Sequence, residues 1–259
     1  MEPGEITSYL DVAQLTLYAF FAFFGGLVIY LRREDKREGY PLLSDRSGSV
    51  TVQGFPAIPE PKAFLTPEGH MVYAPQTTED IPRPGLMPAA PWPGAPMIPT
   101  GNPLIDGVGP ASWANRRDEP ELTWEGEPAI APLRVVSGTD VAPDDVNPIG
   151  MEVIAADGLV AGVVREIWTD RLEPQIRYLE VEIPLEGGSG RHILLPMGFA
   201  RIDKRRGLIK VASLLASQFA HVPALKSTEQ ITKLEEDKIT AYFGGGHLYA
   251  TPARLGPVL

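Results

Sequence analysis

Two carboxylates in one predicted turn are the residues of this chain best placed for acid–base chemistry. Asp170 and Glu173 stand between two strand-like segments, and the second of these segments contains Arg177 and Glu180. Two acids held at the right separation can serve as the acid and base of a hydrolase, but spacing along the chain does not give that separation. Acidic residues in turns are also commonly solvated surface groups. The residues alone leave both interpretations open.

The composition excludes several other kinds of site. There is no cysteine, so a disulfide, a thiolate nucleophile and a Cys-ligated metal are ruled out. The four histidines, at positions 70, 192, 221 and 247, include no pair at the i,i+4 spacing of a helical zinc site. The net charge of -10 argues against a nucleic-acid surface, which needs clustered Lys and Arg. We therefore expect this chain to bind no metal, no cofactor of its own and no nucleic acid.

The first element that must position these groups is a membrane anchor. Residues 12–31 carry no charge, and about 20 residues at 1.5 Å each match a hydrocarbon core about 30 Å thick. Residues 1–11 are acidic, whereas a signal peptide begins with a positive region, so we expect the segment to be retained. Arg32, Arg33 and Arg37 follow it, and such clusters gather on the cytoplasmic side. One transmembrane helix with a cytoplasmic bulk is predicted.

The next segment, residues 32–110, is predicted to be extended. Positions 41–110 hold 15 of the 27 prolines, which remove backbone donors and block helices. Aromatic residues such as Phe64 and Trp92 nevertheless give this segment side chains to bury. We expect it to lie ordered on partner proteins.

The last segment, residues 111–259, is predicted to be mainly β. Strand-like runs occur at 151–155, 160–169, 177–183, 191–195 and 208–211. The turn signals between them include Asp157-Gly158 and the glycine-rich residues 186–190, at hairpin spacing, which indicates a small antiparallel barrel. Alternation in the third run places Leu179, Val181 and Ile183 on the core face. It places Tyr178, Glu180 and Glu182 on the opposite face, in water.

A C-terminal helix completes the predicted domain. Thr232 and Glu235 have the spacing of a capping box, and apolar residues follow at helical spacing. Residues 244–246, three glycines, are predicted to end this helix. The fold class is thus one N-terminal transmembrane helix plus a mainly β cytoplasmic domain, with a C-terminal helix covering part of the barrel.

Several long motifs, in order, resemble the H subunit of purple bacterial photosynthetic reaction centres. They are YLRREDKREGYPL at 30–42, PTGNPLIDGVGPASW at 99–113, NPIG at 147–150, RYLEVE at 177–182, LPMGF at 195–199 and LEEDKITAYF at 234–243. The likeness covers nearly the whole chain, although residues 43–98 and 185–192 carry little of it.

The resemblance implies a PRC-type barrel set on the L and M subunits, which hold bacteriochlorophyll, bacteriopheophytin, quinones and non-haem iron. It implies that this subunit itself binds none of these cofactors. The location would be the bacterial inner, intracytoplasmic membrane, with residues 1–11 in the periplasm. Light-harvesting antenna and bound phospholipid are further partners, and the residues expected at the lipid or membrane interface are Tyr30, Arg32, Arg33, Arg37 and Tyr40.

The resemblance also implies a proton-transfer role for the acidic turn. Glu173 matches the family's inner relay glutamate, with Asp170, Arg177 and Glu180 around it. A quinone reduced in a dry pocket develops negative charge, whose burial is costly unless protons arrive from water. Carboxylates with interacting titrations can hold and pass such protons.

The expected site of proton uptake departs from the family pattern. Relatives have an aspartate and two histidines at the positions of Thr123, Glu125 and Glu127. Glutamates still collect protons, but without imidazole they titrate lower and bind soft metals less well. The candidate uptake residues are Asp118, Glu121, Glu125 and Glu127.

Two other functions remain open at this level. A membrane-anchored barrel adaptor that recruits another cytoplasmic protein would use the same fold. A membrane-tethered hydrolase would use Asp170 and Glu173 as its acid and base. The leading hypothesis is a non-catalytic accessory subunit that stabilises the L and M core on its quinone side and helps to deliver protons to the secondary quinone.

Overall fold

The computed structural model describes residues 5–7, 10–40, 42, 54–66, 69–75, 85–92, 95–184 and 190–255. The chain forms two compact units, one of residues 1–82 and 91–95 and the other of residues 83–90 and 96–259. The glycine-rich turn predicted at 186–190 lies outside the described residues, except for Gly190.

A long apolar helix dominates the first unit. Strands β1 (Glu5–Thr7) and β2 (Leu10–Asp11) pair in antiparallel fashion before helix α1 (Val12–Asp35). The Asp11 side chain caps α1 by accepting from the Gln14 N–H at 2.6 Å. No residue of α1 is buried, and its length and composition suffice to cross a membrane. The predicted helix at 12–31 is confirmed, and it continues to Asp35.

Two basic residues after α1 bind backbone carbonyls of the same unit. Lys36 is 1% exposed, and its ammonium donates to the Gly54 carbonyl at 3.1 Å and to the Pro56 carbonyl. The Arg37 guanidinium donates to the carbonyls of Glu60 and Ala74 at 2.8 and 3.0 Å. A hairpin of β3 (Lys62–Leu65) and β4 (Met71–Ala74) is held there. The proline-containing chain is thus fixed to the end of α1 through its carbonyls, which proline retains.

The second unit is built on one mixed sheet and a C-terminal helix. Its small elements are the hairpin β5 (Leu86–Pro88) and β6 (Met97–Pro99), and the short helix α2 (Pro103–Asp106). The sheet strands are β7 (Ile130–Pro132), β8 (Glu152–Ile154), β9 (Val160–Asp170), β10 (Gln175–Ile183), β11 (Arg191–Pro196), β12 (Arg201–Asp203) and β13 (Leu208–Lys210). Their order is β11-β10-β9-β8-β13-β12, and β7 also pairs with β9. The five predicted strands are confirmed, whereas β7 and β12 were not predicted.

One strand pair departs from the predicted antiparallel pattern. Strand β8 pairs in parallel with β13, in the register Val153 opposite Ile209. Successive hairpins would alternate direction at every step, but β11 and β12 are joined by a 3-10 turn at Met197–Phe199 and do not pair. After this break the chain forms the hairpin of β12 and β13, and β13 lies beside β8 and runs in the same direction.

The alternation in β10 correctly predicts its core face but not all of its other face. Leu179, Val181 and Ile183 are at most 2% exposed, as expected. Tyr178, predicted to face water, is only 4% exposed, and its hydroxyl donates to Glu236 of the C-terminal helix at 3.0 Å. That helix covers the outer face of β10 at this position, so the prediction for Tyr178 is wrong.

The C-terminal helix α3 (Lys233–Tyr249) begins where the capping box predicts. The Thr232 hydroxyl accepts from the Glu235 N–H at 3.2 Å, and the Glu235 carboxylate accepts from the Thr232 N–H at 2.8 Å. The predicted end at residues 244–246 is wrong, because α3 runs on to Tyr249. A Cβ on Gly245 would lie 2.5 Å from the Ala111 Cβ, so these glycines permit close packing rather than a stop.

A pair of glycine substitutions tests this packing. Gly246→Ala is expected to destabilise the chain by about 2 kcal/mol, because the new Cβ would lie 2.6 Å from the Ser213 carbonyl oxygen. Gly244→Ala is the matched control: its Cβ would meet nothing closer than 3.8 Å, and alanine is the better helix former. Thermal unfolding of the full chain in detergent should therefore shift down for Gly246→Ala and not for Gly244→Ala. Equal shifts would contradict the close approach.

Candidate functional site

The predicted acidic turn joins β9 to β10. Asp170 shapes it, because its Oδ1 accepts from the N–H groups of Leu172 and Glu173 at 2.9 and 3.2 Å. The Glu173 side chain is exposed, and its Oε2 accepts from the Gln175 side-chain amide at 3.1 Å. Glu173 is thus a solvated carboxylate in the turn of the β9–β10 hairpin, with its backbone N–H bonded to Asp170.

The acidic segment of residues 118–127 lies next to this turn. Strand β7 pairs with the end of β9, with Ile130 opposite Asp170. The Arg171 N–H donates to the Ala129 carbonyl at 2.8 Å, and the Arg171 guanidinium forms an ion pair with Glu127. Two groups of carboxylates that are more than forty positions apart in the sequence therefore meet at one edge of the sheet.

The candidate uptake residues differ in their surroundings. The Asp118 carboxylate is bonded to the Lys226 ammonium and accepts from the Thr232 hydroxyl at 2.9 Å. These two donors, Lys226 first, lower the pKa of Asp118 below its usual range. Glu121, Glu125 and Glu127 are exposed. Thr123 accepts from the Glu127 N–H at 3.3 Å and supports the local turn.

Glu236 is a carboxylate of this region that was not predicted from the sequence. It lies on α3, accepts from the Tyr178 hydroxyl at 3.0 Å and stands 4.0 Å from the Arg177 guanidinium. Burial raises the pKa of Glu236, the Tyr178 hydrogen bond and the Arg177 charge oppose the rise, and Glu121 and Asp170 add to it. Glu236 therefore holds its proton at higher pH than an ordinary glutamate.

A sequence signal for Glu236 did exist. The capping box fixes the start of α3, and Glu236 then precedes Ile239 and Phe243 by three and seven positions. This is the spacing of one helix face, and both apolar residues are fully buried. An acid on the buried face of a capped helix could have been selected on that pattern.

Glu180 belongs to a different group of side chains. Its Oε2 accepts from the Trp168 indole N–H at 2.8 Å, and its Oε1 lies 2.6 Å from the His192 Nδ1. Arg134 approaches the same carboxylate at 3.4 Å. In the part of the chain that the structure describes, none of these partners belongs to the turn that holds Glu173. The structure thus groups Asp170, Arg177 and Glu236 together, and Glu180 apart from them.

The residues predicted at the membrane interface lie at and beyond the end of α1. Tyr30, Arg32 and Arg33 are exposed, and an Arg32 guanidinium nitrogen lies 3.5 Å from the Tyr40 hydroxyl. Arg37 forms an ion pair with Glu34 at 2.8 Å in addition to its carbonyl bonds. Within the described ranges, no group of three or more His, Asp or Glu side chains could hold a metal ion.

Replacing Glu236 should change the pH dependence of stability. Because the folded-state pKa of Glu236 is raised, its contribution to stability is fully present below the unfolded pKa and is lost as pH rises through the folded value. Glu236→Gln keeps an acceptor for Tyr178 and removes the titration. The variant should therefore gain a few degrees of melting temperature over the parent near neutral pH and lose that gain in acid.

The matched control for that experiment is Glu125→Gln, an exposed position of the same charge change. Melting curves of both variants and the parent, recorded between about pH 4 and pH 8, check the prediction. A constant difference between Glu236→Gln and the parent across this range would show that Glu236 titrates like a solvated acid.

Two family models match the chain. The model described as the N-terminal region of the photosynthetic reaction centre H-chain matches residues 4–135, just over half of the sequence. The model of the PRC-barrel domain matches residues 144–215, which contain β8 to β13. Together the two matches include α1, the acidic segment, the acidic turn and most of the sheet.

Proposed function

Because the chain belongs to the photosynthetic reaction centre H-chain family, we propose that it stabilises the cytoplasmic, quinone side of the L and M core and delivers protons to the secondary quinone. Membership of this family implies a membrane-associated subunit of a complex with L and M, whose cofactors lie on the other subunits. The proposal adds the side of the core on which this chain lies and the task of its carboxylates.

The proton-delivery part of the proposal is carried by the joining of two acidic groups. The Glu127–Arg171 ion pair and the pairing of β7 with β9 bring the acidic segment beside the turn that holds Asp170 and Glu173. Protons collected by exposed glutamates can then reach the turn over a short, hydrated surface. Glu173, in the turn of the hairpin, would pass them to the quinone side of the core.

Glu236 and Asp118 take different parts in this proposal. A carboxylate with a raised pKa can hold a proton near neutrality, so Glu236 would act as a local proton store beside Asp170 and Arg177. Asp118 stays ionised because its pKa is lowered by Lys226, so it would attract protons without holding them. Glu121, Glu125 and Glu127 remain the proposed uptake groups. The positive charge of Arg177 would limit the repulsion between Asp170 and Glu236.

The membrane topology forms a further part of the proposal. Residues 12–31 would span the inner membrane, residues 1–11 would lie in the periplasm, and residues 32–110 and 111–259 would form the extended segment and the cytoplasmic domain. This orientation is supported by Arg32 and Arg33 at the end of α1. Tyr30, Arg32, Arg33, Arg37 and Tyr40 would lie near lipid head groups, and antenna proteins would be reached through the exposed face of α1.

Protease accessibility tests this orientation. Protease added to inside-out vesicles, which expose the cytoplasmic face, should digest the domain after α1 and leave a short membrane-embedded fragment. In spheroplasts, which expose the periplasmic face, the same domain should be protected. Digestion in spheroplasts but not in inside-out vesicles would reverse the proposed orientation.

An absorption spectrum tests the proposed function as a whole. The native complex is purified in mild detergent through an affinity tag on this chain, and near-infrared pigment bands should co-migrate with it. A pigment-free preparation that contains a different cytoplasmic protein would instead indicate a membrane-anchored adaptor. Hydrolysis of a substrate by the chain, lost on Asp170→Asn, would indicate the hydrolase.

A further inference from the structure

A cationic hairpin stands out on the second unit of this acidic chain. Strands β12 and β13 and their turn hold five cations and one carboxylate within ten residues, whereas the whole chain has a net charge of -10. The five are Arg201, Lys204, Arg205, Arg206 and Lys210, and all are exposed. Such a local concentration of one sign attracts ligands of the opposite sign.

The pairing within this hairpin leaves positive charge uncompensated. Arg201 lies directly opposite Lys210 in the strand register, and like charges at facing positions are unfavourable. Asp203 compensates Lys210, with the two side chains 3.1 Å apart, and it also accepts from the Arg206 N–H. Within the described ranges, no ion pair reaches Arg201, Lys204 or Arg205. An anion placed between these groups would relieve the repulsion.

Two cavities are lined by residues of this hairpin. One, of about 380 Å³, is walled by the hairpin itself, including Arg201, Lys204 and Arg205. The other, of about 500 Å³, is mainly apolar, and its walls include Val141, Ala142, Val146, Ile167 and Met197. Both cavities have Ile202 and Lys204 in their walls. A cationic recess therefore adjoins an apolar one.

From this juxtaposition we propose that the β12–β13 hairpin and the adjoining apolar cavity bind a small amphiphile with an anionic head group. Ligand cavities of 300–1,000 Å³ are typically apolar with a few placed polar groups, and the larger cavity has that size and character. Asp140 and Asp145 also line the larger cavity. The anionic head therefore lies away from them, beyond Lys204, and contacts Arg201 and Arg205. The apolar body fills the space beside Ile202.

The cationic hairpin shares no residue with the acidic turn or the acidic segment, so its charge variants leave the proposed proton-delivery groups in place. The larger cavity does reach the flank of that turn, since Pro174 and Gln175 line it. The hairpin also differs in chemistry, since guanidinium and ammonium groups bind phosphate or carboxylate oxygens through charge-assisted hydrogen bonds. Both an anionic lipid and a free alkyl phosphate present this chemistry. The test below separates these two sources.

The test uses native mass spectrometry of the full chain released from neutral detergent, with dodecyl phosphate as the probe. The parent chain should retain one molecule of dodecyl phosphate. Lauroyl lysophosphatidic acid should displace it if the site accepts a lipid. It should fail to displace it if the site accepts only the free alkyl phosphate. The double variant Arg201→Gln, Lys204→Gln should bind at least about tenfold more weakly, because charged hydrogen bonds are lost. Ala142→Trp, which places an indole in the apolar cavity, should weaken binding similarly.

The control is Arg206→Gln, which removes one positive charge from the same hairpin at a residue that lines neither cavity. It should retain the probe as the parent does. Equal retention by all variants would show binding to the micelle and overturn the proposal. Loss in the charge variant with full retention in Ala142→Trp would show a site for a bare anion. If no chain retains the probe, and the hairpin amides are protected from hydrogen exchange only when L and M are bound, the hairpin is a protein contact. That result would also overturn the proposal.

Discussion

Replacing Glu173 by glutamine is expected to slow proton delivery to the reduced secondary quinone while leaving primary charge separation unchanged. The amide keeps the volume and the hydrogen bond from Gln175 but cannot accept and release a proton at working pH. The expected slowing is about tenfold, less than the ~100-fold that loss of a sole proton-transfer group costs, because neighbouring acids remain. Since the second electron transfer is coupled to protonation, the second of two flashes should report it. The effect should grow with pH as protons become scarce.

Single changes at the uptake residues provide the control for this experiment. Glu125→Gln or Glu127→Gln should slow the second electron transfer less than Glu173→Gln does, because exposed carboxylates collect protons in parallel and water reaches several of them. Flash-induced quinone kinetics of the three variants in assembled complexes measure the difference. If the second step in Glu173→Gln matches the parent across pH, Glu173 is an ordinary solvated turn residue.

The second large effect is expected in the core, where Phe243→Ala should destabilise the chain by about 3–5 kcal/mol. Phe243 is 0% exposed, and its ring centroid lies 5.8 Å from those of both Phe199 and Phe219. Removing the ring leaves a cavity between α3 and the turns that these two residues belong to. Loss of α3 packing should also expose Tyr178, whose hydroxyl bonds to Glu236 on that helix, so the melting temperature should fall.

Trp124→Ala is the matched control, because it removes a larger aromatic side chain that is 91% exposed. Its melting temperature should stay close to that of the parent, since little buried surface is lost. Thermal unfolding in detergent, followed by circular dichroism, compares the two variants. A similar loss in both would mean that the Trp124 side chain is buried.

Much of the fold was predictable because local patterns determine it. The apolar run of α1, the core face of β10 and the capping box that starts α3 each depend on neighbouring residues, and each of these predictions is confirmed. The errors involve contacts between distant residues. Tyr178 is buried by a helix more than fifty positions away, and Gly245 is helical because it must pass close to Ala111. No local pattern contains either contact.

The candidate site shows the same division. The acidic turn was predictable from turn chemistry, and Asp170 does shape it. The contact of this turn with Glu127 was not predictable, because β7 is a three-residue strand without an alternating pattern and Arg171 was not among the predicted site residues. Glu236 depends on the position of α3 against β10, a tertiary contact. The sequence therefore predicts which carboxylates are in turns. Tertiary packing determines which of them lie close together.

The parallel pairing of β8 with β13 has a consequence for how the protein is made. Residues 152–154 have no partner on one side until residues 208–210 have been synthesised, because β13 fills that position in the ladder. A nascent chain can form the hairpins of β9, β10 and β11 early, since their contacts are local, but β8 keeps one bare edge meanwhile. α3 follows later still. The window between these events is when a growing chain is most exposed to aggregation at the membrane surface, so chaperone demand during translation should fall sharply once β13 has left the ribosome.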